Sequence, residues 1–351
     1  MTKTVIFMEA MPPNLEVIRY YAQRRDIEVS MIVLSLNGWV GNLNAAYENI
    51  AAFLKLLYNE GYSKRIPLYY GNSLAEVDFD FFIHFDPSIA LSSQTTVCSF
   101  RRLLSNLLEL YAEVLFGAAF DLRQVDIGDM AMRPSFFEQP LSAFLSENEA
   151  NFLVLGPCTD AAWFLQNHNE HHARVSNIVV AGGTFLDTGD TYDVIMRNKG
   201  VEMNFFFDPQ AANYLMQGTH GRPVTLIPMD AAMPWRPSVY DAIINNKRKE
   251  TSGGSAVVLA KALYAYHQFL DYYASEVSLS VVAAAYNADA YLQDGARGIL
   301  IPVQVLYGNS TFIGGLSIRP KSGDFKVKVV LELDYDKFFN HLINVNSLSL
   351  A

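Results

Sequence analysis

The chain has 351 residues, 51% of them hydrophobic and only 18% charged, against roughly 25% charged in an ordinary globular domain. That balance excludes a disordered or coiled-coil polypeptide and leaves enough apolar side chain for one large core. The net charge of −10 excludes a protein that grips a phosphate backbone, since such affinity comes from Lys and Arg neutralising phosphates. No nucleic-acid partner is expected.

The elements, in chain order, begin with a strand-like run at Thr4–Phe7. It has no basic segment and long apolar segment before it, so nothing marks the chain for export and an intracellular, cytoplasmic setting is expected. Further strand-like runs, rich in β-branched or aromatic residues, fall at Glu28–Leu34, Phe81–Phe85, Phe152–Leu155, Asn177–Ala181 and Val224–Pro228. Between them lie helical periods at Ala45–Asn59, Phe100–Phe116, Thr159–Gln166, Pro209–Met216, Ala256–Tyr273 and Val281–Leu292. Lys326–Leu333 reads as an edge strand and Asp336–Leu342 as a closing helix. The alternation predicts an α/β fold, an open and mainly parallel sheet flanked by helices, with additional helices and a small C-terminal edge element.

We read residues 1–351 as one domain, with 88–139 as an elaboration between core elements. Thr251–Ser255 reads as a surface loop between helices. No apolar run approaches the length of about 20 residues that a membrane span needs, so no membrane contact is expected. Cys98 and Cys158 stand in neither a CxxC nor a metal spacing. The run Asn167-His168-Asn169-Glu170-His171-His172 gathers imidazoles and a carboxylate, but its place after a helix makes it a polar surface loop rather than a metal site. His84, His220, His267 and His341 are scattered, and no G-x-S-x-G, P-loop or H-E-x-x-H is present.

Three ordered segments carry a resemblance. Leu153-Val154-Leu155-Gly156-Pro157-Cys158-Thr159-Asp160-Ala161-Ala162 is a strand, a turn and a helix start; Ile178-Val179-Val180-Ala181-Gly182-Gly183 is a strand with a glycine pair; Val201-Glu202-Met203-Asn204 leads to Phe207-Asp208-Pro209-Gln210-Ala211-Ala212. In that order they resemble the L-G-P-L-T-N-I-A, strand-Gly-Gly and E-F-N-x-x-x-D-P-E-A-A elements of the inosine-uridine nucleoside hydrolases. Fainter matches at Ile66–Gly71, Thr225–Asp230 and Val281–Tyr286 extend it over nearly the whole chain.

The resemblance implies an enzyme that holds calcium through Asp side chains of an N-terminal D-x-D-P-G-x-D-D motif, the backbone carbonyl of the Thr in L-G-P-x-T, and an Asp opening a late helix. Another Asp of the first motif would deprotonate the attacking water. Calcium wants six to eight oxygens with carboxylates among them, and a catalytic metal must lower the pKa of its water. Here Thr4-Val5-Ile6-Phe7 is followed by Met8-Glu9-Ala10-Met11-Pro12-Pro13-Asn14-Leu15-Glu16. Met8, Ala10 and Leu15 stand at the metal-binding Asp positions and Asn14 at the base. An amide has no useful basicity. Leu279 and Ser280 stand where the family tends to carry His and Asp.

No catalytic residue, cofactor or metal is therefore expected, the family calcium included. What remains is Thr159, as a carbonyl, and Glu202 with Asn204, which in the family contact the sugar. These two are read either as a residual ribose-like site or as groups that satisfy loop backbone. Asn42, beside Asn44 and Asn49, is read as a pocket residue or as a helix cap. The aromatic content of 13%, with Phe205-Phe206-Phe207 and Tyr69-Tyr70, suits either a core or a subunit interface. Three expectations result: an inactive protein with a structural or self-assembly role as a homo-oligomer, a binder of nucleosides or related sugars, and a hydrolase rebuilt around other residues.

Overall fold

The computed structural model describes residues 1–35, 43–71, 126–128, 135–185, 201–233, 254–259, 262–263, 278–306, 317–320 and 322–346. The expected strand Phe81–Phe85, the helix Phe100–Phe116, most of Ala256–Tyr273, the Asn42 loop, Cys98, His84 and His267 lie outside them.

Among the described residues, eight strands form one sheet: β1 (Thr2–Met8), β2 (Ile27–Leu34), β3 (Leu68–Tyr70), β4 (Ala150–Val154), β5 (Val175–Ala181), β6 (Val224–Ile227), β7 (Arg297–Ile301) and β10 (Val327–Glu332), in the order β3-β2-β1-β4-β5-β6-β10-β7. Two short strands, β8 (Gln304–Val305) and β9 (Ser317–Ile318), pair separately. Every pairing in the large sheet is parallel except β10 with β7. β1 lies at the centre, with Phe7 opposite Val33 on one side and Val154 on the other. Burial on both faces explains why its sequence is a continuous apolar run rather than an alternation.

Side chains alternate between two cores. Ile6, Met8, Leu153, Val179 and Ile227 enter one; Val5, Phe7, Phe152, Val154, Val180 and Leu226 enter the other. The first core is covered by α1 (Pro12–Ala22), α2 (Leu43–Asn59), α7 (Leu279–Ala288) and α9 (Tyr335–Asn346). The second is covered by α3 (Glu138–Glu147), α4 (Thr159–Asn167) and α6 (Pro209–Gln217). The short α5 (Met203–Phe207) and α8 (Ala290–Asp294) lie between larger elements.

Several expectations need correction. Val327–Glu332 is an interior strand between β6 and β7, and the edge belongs to Arg297–Ile301. The helical run Val281–Leu292 is two helices broken at Asp289, whose Oδ1 accepts the Tyr291 N–H at 2.8 Å and caps the second. Ser255, placed in a surface loop, is buried, and its hydroxyl donates to Glu60 Oε2 at 2.5 Å. The His168–His172 segment is a 3-10 helix from Asn169 rather than a loop; His171 is buried there and shares a 2.7 Å hydrogen bond with Ser142. Phe205, Phe206 and Phe207 are buried inside the chain, so they are unavailable to a subunit interface.

Candidate functional site

The carboxyl ends of β1, β4 and β5 converge with the amino ends of α1, α4 and α7. α1 begins with Pro12 and Pro13 in its first turn, where a missing N–H costs nothing and the fixed φ favours the helix. All eleven of its residues are buried, Glu16 and Arg19 included. Met8, Ala10 and Leu15 belong to the apolar core between the sheet and α1. Asn14, also buried, donates through Nδ2 to the Glu9 carbonyl at 2.9 Å, which closes the turn between β1 and α1.

Across the crevice the chain leaves β4 at Leu155-Gly156. A Cβ on Gly156 would stand 3.2 Å from Glu9 Cγ and 3.4 Å from its Oε1, so the Glu9 side chain lies in the space that glycine leaves open. Glu9 is 2% exposed. Ser280, in the first turn of α7, is buried and its hydroxyl donates to the Leu155 carbonyl at 3.4 Å. Leu279 is partly buried and packs on the core shared with α1. The start of α7 thus meets the end of β4, carrying a hydroxyl and an isobutyl group.

Thr159 opens α4 and its hydroxyl donates to Asp208 Oδ2 at 2.7 Å. Asp208 in turn caps α6 by accepting the Ala211 N–H at 2.9 Å. Glu202 caps α5: Oε1 accepts the Asn204 N–H at 2.8 Å, and Oε2 accepts the N–H groups of Phe205 at 3.2 Å and Gly183 at 2.8 Å. Asn204 donates through Nδ2 to the Ala181 carbonyl at 3.1 Å. Gly183 has φ +75°, and a Cβ there would press on the Phe205 ring at 2.8 Å, so the glycine is required both by conformation and by space. Burial pushes the Cys158 thiol well above its ordinary pKa, with the carboxylates of Asp208 and Glu202 adding to the effect.

The structure therefore brings Ala10, Asn14, Leu15, Thr159, Glu202, Asn204 and Ser280 to neighbouring strand and helix ends. Glu202 and Asn204 are both engaged with main-chain groups. Asn42 lies outside the described residues. The residue that sequence reasoning undervalued is Glu9: its burial depends on Gly156 across the sheet, and the two are far apart in the chain. Among the described residues no group of three or more His, Cys, Asp or Glu is placed to hold a metal ion.

Comparison with known proteins agrees with this architecture. The family model for inosine-uridine preferring nucleoside hydrolases matches residues 17–340. The chain belongs to that family. It is 30% identical over 125 residues to a pyrimidine-specific ribonucleoside hydrolase RihA of Klebsiella pneumoniae, a match spanning 35% of this chain and 37% of that relative's length. The inosine-uridine preferring nucleoside hydrolase of Bacillus anthracis superposes with a TM-score of 0.67 at 18% identity, over 99% of each chain. The purine-preferring ribonucleoside hydrolase of Gardnerella vaginalis gives the same score and identity, over 99% of this chain and 98% of its own. At such identities the structures establish the nucleoside hydrolase fold and nothing finer.

Proposed function

We propose that this nucleoside hydrolase family member is catalytically inactive and serves a structural or self-assembly role inside the cell. The observation that carries the reading is the chemistry of four neighbouring positions. Met8, Ala10 and Leu15 are core side chains and Asn14 is an amide engaged with the Glu9 carbonyl. A calcium ion wants six to eight oxygens, several of them carboxylate. These residues do not fit it, and the Ser280 hydroxyl at the late helix is turned to a main-chain carbonyl. No residue at the base position can take a proton from water near neutral pH. The test is incubation of the purified protein with calcium and with inosine or uridine. The reading expects no released base above a protein-free blank; calcium-dependent release would sink it.

Self-assembly draws support from β7, which is the last strand of the sheet among the described residues. Ile299 and Leu300 of β7 are exposed, Leu300 by 65%, and Tyr291 of the adjoining α8 by 61%. Unprotected apolar edge strands pair with other strands, and a second copy offers the same edge. Light scattering tests this, with a dilute and stable monomer as the contrary result. A second reading, a non-catalytic binder of nucleosides or ribose-like ligands, is favoured by the presence of Glu202 and Asn204 at their family positions. It expects a thermal shift with inosine, uridine or ribose. The third, a hydrolase rebuilt around other residues, shares the base-release test.

A further inference from the structure

The sheet ends differently on its two sides. At β3, a strand of three residues, both main-chain groups of Tyr70 are engaged from beyond the strand: its N–H donates to the Ser135 carbonyl at 3.1 Å, and its carbonyl accepts the Phe137 N–H at 3.0 Å. β7 has five residues and, among the described residues, pairs with β10 alone. Its exposed apolar side chains point to opposite faces. Ile299 stands opposite Val329 of the second core, and Leu300 opposite Lys328, whose ammonium lies over the Tyr286 ring of α7 at 5.4 Å. Directly opposed residues share a face. Ile299 is therefore on the side of the second core, and Leu300 on that of the first, where Tyr291 is exposed as well.

Exposure on both faces selects the kind of partner. A helix or a flat apolar surface laid on the sheet would cover one of the two side chains. A strand added to the edge covers both and satisfies main-chain groups too. Edge strands are usually guarded by Lys, by Pro or by an inward charge; Gly298-Ile299-Leu300-Ile301 carries neither charge nor proline. The charge at the start of the strand, Arg297, is ion-paired with Glu332 at 3.1 Å. The net charge of −10 sets two copies against each other, but charges farther apart than about 8 Å are screened in physiological salt. Contact at β7 is thus governed by an apolar strand with its one ion pair already made.

We propose that β7 pairs antiparallel with β7 of a second copy about a two-fold axis perpendicular to the sheet, giving a closed dimer with one continuous sheet. This rests on the self-assembly reading given above and supplies its surface, its partner and its size. A two-fold contact must complement itself. The register centred on Ile299 is the one that pairs all five residues of each strand: Ile299 meets Ile299 of the second copy, Leu300 meets Gly298 and Arg297 meets Ile301. Each Leu300 then lies beside a residue without a side chain, on the face that carries Tyr291. With Tyr70 already engaged, β3 offers no equivalent edge, so the assembly stops at two copies instead of growing into a filament.

The experiment is sedimentation velocity of the full chain over a range of concentrations, with Ile299→Lys and Leu300→Lys run beside it. The unaltered chain should pass from monomer to dimer and no further. Leu300→Lys should raise the dissociation constant by about a hundredfold, since each copy loses one buried leucine. Under oxidation Ile299→Cys should give a covalent dimer, because opposed Cβ atoms of an antiparallel pair lie about 5 Å apart, and Leu300→Cys, facing Gly298, should not. Should a Lys variant fail to fold, the two Cys variants decide. A dimer that both Lys variants leave intact, an assembly of more than two copies, no cross-link through Ile299→Cys, or a cross-link through Leu300→Cys would overturn the proposal and leave self-assembly standing. A monomer at every concentration would overturn both.

Discussion

Two segments at the carboxyl ends of the central strands use their side chains in different ways. From Gly156 to Asp208 the polar side chains are tied into the backbone and into each other: Glu202 holds three N–H groups, Asp208 caps α6 and receives Thr159, and Asn204 braces β5. At Met8, Ala10, Asn14 and Leu15, and again at Leu279-Ser280, the chain carries alkyl and thioether groups, one amide and one hydroxyl. On the inactive reading proposed above, the difference teaches that residues with two roles outlast those with one. A carboxylate that also caps a helix is held by folding after its ligand is gone, whereas a carboxylate that only binds metal becomes an isolated buried charge and favours an apolar replacement.

The largest expected effect comes from forcing the diverged part back toward its family. Leu15→Asp places a carboxylate where the side chain is fully buried in the apolar core. Urea unfolding should show a loss of roughly 4 kcal/mol that calcium does not restore. Recovery of stability on adding calcium would mean that the remaining oxygens still form a metal site. The complementary change in the segment tied to the backbone is Glu202→Ala, which leaves three N–H groups without their carboxylate; about 3 kcal/mol should be lost by the same measurement. A change within a few tenths would show that Glu202 is kept for a ligand and not for the fold.

A smaller loss, about 1 kcal/mol, is expected for Thr159→Val, since it removes a single hydroxyl bond to Asp208. The smallest effect lies in pH. His341 is held below its ordinary value of 6.5, first by burial and then by Arg24, with Asp289 and Asp26 opposing; His171 and His220 are lowered by burial as well. Depressed values keep these rings neutral in the folded state, while the unfolded chain takes up protons as the pH drops through 6.5. Stability should therefore be complete above that pH and decline below it, and His341→Gln should flatten the decline in a series of unfolding midpoints. An unchanged slope would contradict the assignment.

Much of the sheet was legible because its central strands are apolar, β-branched runs ended by Gly or Pro. Leu153–Thr159 and Ile178–Gly183 are the clearest cases. α1 was hidden because Pro12-Pro13 reads as a break, although both prolines sit in the first helical turn. β7 was hidden because Arg297-Gly298 and an exposed surface give it no burial pattern, and its absence made β10 look like the edge. In the site, residue type gave the chemistry available at Met8, Ala10, Asn14 and Leu15. It could not reveal that Glu9 is buried against Gly156, or that Glu202 and Asn204 bind main chain, because both depend on contacts between distant segments.

The most direct test of the central claim is a crystal structure determined at high calcium concentration, inspected between Ala10, the Thr159 carbonyl and Ser280. The account predicts no ion there and a Glu9 side chain lying against Gly156. A peak with several oxygen contacts at about 2.4 Å, the calcium distance, would contradict it.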